Sequence, residues 1–390
     1  VLPFANLSGD PGQEYFSDGV TEVLTTDLSK IASLFVIARN SAFTYKGKAV
    51  KVQEIGKEMG VRYVLEGSVL RADGRVRITA QLIDATAGYH LWSERYDRPL
   101  KDIFAVQDEI VQKIVTTLKL QIPLMEQGYL VRRRTDNLEA YDAFLQGVES
   151  WHRAFSETKK ELHEQAQQRF ERAIDLDPQF AEAYAWLGQT YWLRWFYWWN
   201  PTLQTLEQAG ELARRAIALD GSLSTPRRVL GDVYLWQKQH DQAITEGERA
   251  LALDPNDAES YFAFGSILVF AGRPEEGIGM IKQSMRLNPR YPITYLHDLG
   301  WAYRVAGRCE EAIVPLKKLL TLKPDFLPSH INLASCYAEL DRLEEAQAEA
   351  AEILRLMPTW SLEGARRHWP YKDPADLERH IAALRKAGLK

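Results

Sequence analysis

Leu251-Ala-Leu-Asp-Pro255 closes an alanine-rich stretch, and near copies of it recur between residues 174 and 358. They are Ile174-Asp-Leu-Asp-Pro178, Ile217-Ala-Leu-Asp-Gly221, Met285-Arg-Leu-Asn-Pro289, Leu320-Thr-Leu-Lys-Pro324 and Ile353-Leu-Arg-Leu-Met-Pro358. Successive closing residues lie 43, 34, 34, 35 and 34 positions apart. A fixed period of this size marks stacked helix pairs, none of which can bury its apolar face alone. Aligning the units on their last residue brings further positions into register. Gly188, Gly231, Gly265, Gly300 and Ala334 fall together on the first helix (helix A), followed three residues later by Tyr191, Tyr234, Leu268, Tyr303 and Tyr337. Ala166, Ala209, Ala243, Gly277, Ala312 and Ala346 fall together on the second (helix B). Small residues facing each other across two helices let the backbones approach, and a neighbouring large residue fills the space beside them. Proline at the close suits a turn, because it cannot continue a helix.

This register resembles the tetratricopeptide repeat (TPR) family, in six units over residues 138–358. Two units depart from the common length. About seven extra residues stand near 151–159 in the first, and about nine near 195–203 in the second. Both insertions are expected to lengthen adjacent helices. After the last proline, Asp373-Pro374 opens an amphipathic stretch that reads as a capped helix. Residues 359–390 are therefore expected to shield the final repeat.

Residues 1–122 read differently, and 123–137 read as a linker. Val1–Ala5 and Leu34–Ala38 read as strands, and Ser17-Asp18-Gly19 as the cap of a helix reaching Ile31. Val50–Met59 reads as a second helix. Val61–Arg71 and Arg75–Asp84 alternate apolar and polar residues across Asp73-Gly74, a type I′ hairpin signal. A strand at Tyr89–Tyr96 and a helix at Ile103–Leu120 complete a mixed sheet covered by helices. The fold class expected is thus α+β: an amino-terminal mixed α/β sandwich, then an all-α superhelical solenoid.

Val1-Leu-Pro-Phe-Ala-Asn-Leu-Ser-Gly-Asp10, Tyr15-Phe-Ser-Asp-Gly19, Tyr63-Val-Leu-Glu-Gly-Ser-Val69 and Leu91-Trp-Ser-Glu-Arg-Tyr-Asp97 resemble the TolB amino-terminal-like domain. Pro370-Tyr-Lys-Asp-Pro-Ala-Asp-Leu-Glu-Arg379 and Leu384-Arg-Lys-Ala-Gly-Leu389 resemble the tail of bacterial class III adenylate/guanylate cyclases of that architecture. The resemblance implies a cyclase domain, and often a membrane helix, upstream. It leaves cytoplasm and periplasm both open for this portion. Membrane-tethered transcription regulators share the same rear half.

The bulk numbers exclude several function classes. A net charge of −5 with 26% charged residues offers no basic field for a nucleic-acid backbone. No apolar run reaches the roughly 18 residues that span a bilayer. Cys309 and Cys336 show no metal-ligand spacing, and buried thiols are expected rather than a disulfide. The histidines are scattered, and phosphate-loop, zinc-protease and nucleophile-elbow motifs do not occur. Neither a catalytic residue, a metal nor a cofactor is expected, and the chain reads as non-catalytic. An anion at the Ser17-Asp18-Gly19 helix start is weighed against capping alone, which is preferred.

By the resemblance, the helix-A positions facing the concave groove are Trp192, Arg228, Asp232, Trp236, Phe262, Phe270, His297, Trp301 and Arg304. Aromatics beside arginines match the composition of interface hot spots, and arginine suits an acidic group or a carboxy terminus. A protein or peptide partner is therefore expected in the groove. The alternative is that these aromatics pack on the adjacent helix. The run Trp195-Phe196-Tyr197-Trp198-Trp199 cannot place five consecutive aromatics in one core. It marks either packing against Trp151 and Phe155 or a partner or homodimer surface. Three functions stay in play: a regulatory interaction module, a small-molecule sensor and a dimerisation scaffold.

Overall fold

The structure, a computed structural model, describes residues 1–120, 134–157, 159–196, 199 and 202–390. Most of the expected linker, and Tyr197 and Trp198, lie outside the described residues. The chain forms two compact units. The first comprises residues 1–230, 249–257 and 287–290, and the second residues 231–248, 258–286 and 291–390.

The first unit opens with a four-stranded mixed sheet in the order β1-β2-β3-β4. The strands are β1 (Ala5–Asn6), β2 (Tyr63–Ala72), β3 (Arg75–Asp84) and β4 (Tyr89–Pro99). β1 runs parallel to β2, with Ala5 opposite Ser68, so a helical crossover must join them. It contains α1 (Glu14–Ser29), α2 (Arg39–Phe43) and α3 (Val52–Met59). β2 and β3 form the hairpin, with Asp73 at φ 49° and Gly74 at φ 68°, the two left-handed residues a type I′ turn demands. Val76, Ile78, Ala80 and Leu82 alternate inward from β3, and α4 (Ile103–Thr117) buries Ile103, Val106, Ile110 and Ile114.

Three expectations need correction: the first strand is Ala5–Asn6 rather than Val1–Ala5, and two further readings change. Leu34–Ala38 is not a strand, because its amides are used elsewhere in this unit. Val36 N donates to Asn256 Oδ1 (3.2 Å) and Ala38 N to the Leu287 carbonyl (2.8 Å). Ser17-Asp18-Gly19 does not begin a helix either. Asp10 accepts from Gly12 N (2.8 Å), Pro11 follows, and α1 is already under way at Glu14. The anion reading thereby loses its helix start, and the side chains are engaged as well: Ser17 Oγ donates to the Glu14 carbonyl, and Asp18 pairs with Lys46.

Six antiparallel helix pairs follow. They are α5 (Leu138–Glu157) with α6 (Lys160–Leu176), α7 (Ala181–Phe196) with α8 (Leu203–Leu219), and α9 (Ser224–Trp236) with α10 (His240–Leu253). Then come α11 (Ala258–Phe270) with α12 (Pro274–Leu287), α13 (Tyr295–Val305) with α14 (Cys309–Leu322), and α15 (Leu327–Glu339) with α16 (Leu343–Leu356). α5 to α8 have 20, 17, 16 and 17 residues, against 13 and 14 in the third and fourth pairs. Ala166, Ala209, Ala243, Ala312 and Ala346 are all fully buried. Two short helices end the chain, α17 (Leu362–His368) and α18 (Pro374–Lys386), the latter capped by Asp373, which accepts from Ala375 N (2.8 Å).

Within the first unit the α/β portion is tied to inter-repeat turns. Ser29 Oγ donates to Asp254 Oδ2 (2.8 Å) and Ser41 Oγ to Asn288 Oδ1 (2.6 Å). Asn256 Nδ2 donates to the Ser29 carbonyl (2.9 Å). Arg134, largely buried, pairs with Asp27 (2.7 Å) and Glu182 (3.5 Å). Desolvation, reinforced by Asp257, raises the Asp254 carboxyl to about 7.

Candidate functional site

In the second unit the helix-A residues singled out from sequence meet the chain's own carboxy-terminal segment. Trp236, near the end of α9, lies 4.9 Å from the His368 ring and 6.1 Å from Phe270. Phe270, ending α11, lies 4.4 Å from Trp301 and stands edge-on to Tyr371 at 5.1 Å. Between α17 and α18 the backbone passes alongside, and Lys372 N donates to the Phe270 carbonyl (2.9 Å). Lys372 Nζ reaches Asp241 (2.7 Å).

At the centre is a buried polar cluster. Arg304, on α13, is fully buried. Its Nε donates to Asn332 Oδ1 on α15 (2.9 Å), and its Nη2 to the Tyr371 hydroxyl (2.8 Å) and His380 Nδ1 (3.1 Å). Trp301 Nε1 also donates to Tyr371 (3.1 Å). Glu339 adds a carboxylate 3.8 Å from Nη1. A buried guanidinium demands such partners, because each unmet donor would carry its full desolvation cost. His380 stacks flat on Trp369, with centroids 4.3 Å apart and planes 4° apart. Burial first, then the Arg304 and Arg379 cations, push its pKa well below the usual imidazole value, which keeps Nδ1 an acceptor. His297 is pushed down to about 4 by burial and Arg304.

The remaining helix-A positions also meet the chain's own residues. Phe262 stacks on Tyr295 at 4.0 Å, and His297 stands edge-on to Phe326 at 5.4 Å. In the first unit Arg228 is buried, donates to Gln189 Oε1 (3.1 Å) and lies 3.9 Å from Asp257. Trp192 stacks on Trp195 and lies tilted against Phe196, each at 5.5 Å, and in the second unit Asp232 is buried. Trp199 meets His163 at 4.7 Å, and Trp151 meets Trp186 at 5.1 Å. Phe196 is 46% exposed and Leu203 74% exposed.

Sequence reasoning missed His368, Trp369, Tyr371, Asn332 and His380 as members of this cluster. Trp369-Pro370-Tyr371 stands outside the repeat register, and an aromatic pair in a short inter-helix loop was the available signal. Cys309 and Cys336 are buried free thiols. Among the described residues no His/Cys/Asp/Glu group could hold a metal, and no helix is long and apolar enough to cross a membrane.

Comparison with known proteins agrees with the repeat reading. Tetratricopeptide-repeat family models match residues 157–193 and 303–362, so those two stretches carry tetratricopeptide repeats. Among curated proteins, "Putative adenylate cyclase 3" of Rhizobium meliloti (strain 1021) is 44% identical over 244 residues. Those residues are 62% of this chain and 41% of that relative, so the chain spans well under half of the relative's length. Among solved structures, YrrB, a TPR protein with an unusual peptide-binding site, is 20% identical, over 49% of this chain and 93% of that one, with a TM-score of 0.36. PilF of Pseudomonas aeruginosa is 20% identical, over 57% of this chain and 94% of that one, with a TM-score of 0.40.

Proposed function

We propose that this chain is a non-catalytic regulatory module of a bacterial signalling protein, an adenylate cyclase by its likeness to the Rhizobium relative. In this reading residues 1–122 form a TolB-like relay domain, 123–137 a linker, 138–358 the recognition array and 359–390 its closing segment. The helix-A face takes an extended peptide of a protein partner. One observation carries this: the face of the later repeats already holds a non-helical aromatic segment, with Tyr371 between Phe270, Trp301 and Arg304. A partner presenting an aromatic side chain and a hydroxyl or carboxylate meets the same groups, by taking the place of residues 368–372. The ties from Ser29 and Ser41 to Asp254 and Asn288 provide the route from repeats to relay domain.

A peptide array screened against the chain tests the reading. Selected binders should lose affinity about tenfold or more on Trp236→Ala. Binders indifferent to Trp236→Ala and Arg228→Ala alike would remove the groove from consideration. A second reading, a homodimer through the aromatic insertion, is favoured by the exposure of Phe196 and Leu203. Light scattering on Phe196→Ser, compared with the unaltered chain, decides it by loss or persistence of a dimer.

A further inference from the structure

A cavity of about 270 Å³ opens in the first unit between β2, α5 and α6. Three guanidinium groups line it: Arg71 from β2, and Arg169 and Arg172 from α6. Arg71 is committed. Its Nη1 pairs with Asp142 of α5 and donates to the Tyr15 hydroxyl (3.2 Å), and its guanidinium lies 4.9 Å from the Phe16 ring centroid. Asp142 is equally engaged, accepting from Tyr15 (2.8 Å) and from Gln146 Nε2 (3.2 Å). The Arg71–Asp142 pair therefore cancels, leaving Arg169 and Arg172 against Glu139. Arg169 and Arg172 sit one helical turn apart on the same face, and among the described residues neither has a hydrogen bond or ion pair. Two unpaired forks converging on a concavity, with the amino-terminal end of α5 beside them, form an electropositive pocket.

We infer that this cavity binds a compact dianion, a phosphate ester or a dicarboxylate, held between Arg169 and Arg172 and competing with Asp142 for Arg71. Guanidinium forks match the paired oxygens of both anions, and the volume is that of a small ligand rather than a peptide. Because Arg71 belongs to the α/β portion and Asp142 to the first repeat, the ligand would loosen or replace the ion pair joining them. The site would thus report a small molecule at that joint, independently of any peptide on the helix-A face.

Isothermal titration of the full chain tests this, with inorganic phosphate and succinate as separate arms. At least one should bind with a saturable signal, and which one does so distinguishes phosphate from dicarboxylate. Arg169→Ala/Arg172→Ala should weaken it about tenfold or more. Arg214→Ala/Arg215→Ala, which removes the same charge from exposed positions on α8, should leave it unchanged. Asp142→Asn, which frees Arg71 and deletes the competing carboxylate, should tighten it. Binding of neither anion, equal weakening by both double substitutions, or weakening by Asp142→Asn would each overturn the assignment. Binding of an acidic peptide with no response to either small anion would also overturn it, in favour of a protein partner.

Discussion

The Tyr371 hydroxyl accepts two hydrogen bonds, from Arg304 and Trp301, on a side chain that sequence alone places in a short loop. Tyr371→Phe keeps the ring and its contact with Phe270 but removes that acceptor. It should cost about 1–3 kcal/mol by chemical denaturation, because a buried charged donor is left unmet. His380 offers a pH readout of the same cluster. Its folded pKa is depressed, so its contribution is present above the unfolded value near 6.5 and is lost as pH falls below it. His297 acts in the same direction down to about 4. Both histidines therefore favour a fall in stability between about pH 7 and pH 4, opposed by the raised Asp254 and Asp298 carboxyls, and His380→Gln, which keeps an acceptor without the imidazole's titration, should shift the pH slope of the denaturation midpoint away from that fall. An unchanged slope would mean that His380 is not held neutral.

Helix pairing is where the sequence was most readable. Gly265 and Gly277 were legible because a close helix approach leaves a small residue at a fixed register. A Cβ on Gly277 would meet Val269 Cγ2 at 2.5 Å and the Gly265 carbonyl at 2.7 Å, and the backbone atom cannot yield as a side chain can. Gly277→Ala should destabilise by about 1–3 kcal/mol on thermal denaturation, despite alanine's higher helix propensity. Leu34–Ala38 was misread because a short apolar run records burial, not where its amides go. Those donors reach Asn256 and Leu287, partners more than two hundred residues away that no local pattern reveals. The candidate site divides in the same way. Its helix-A members were found by repeat position, whereas Tyr371 and His380 join them only through the return of the chain after its last repeat.

Taken as a molecule, the α/β portion depends on repeats that the sequence presents as a separate array. Gly19 of α1 lies so close to α5 that a Cβ would stand 2.6 Å from Leu145, and Ser29, Val36, Ala38 and Ser41 bond to the turns at 254–256 and 287–288. A fragment of residues 1–120 should therefore melt well below the full chain, with reduced amide protection at Val36 and Ala38 in hydrogen exchange. Equal melting temperatures would mean that these ties add nothing. For the central claim, that the helix-A face of the later repeats recognises an extended aromatic segment, the most direct measurement supplies the resident segment in trans. A labelled peptide of residues 366–375 is titrated by fluorescence anisotropy against Trp369→Ala/Tyr371→Ala, confirmed folded by circular dichroism, and against the unaltered chain. The account predicts saturable binding to the variant, at least about tenfold weaker on the unaltered chain where the site is filled. No binding to the folded variant, or equal binding to both, would contradict it.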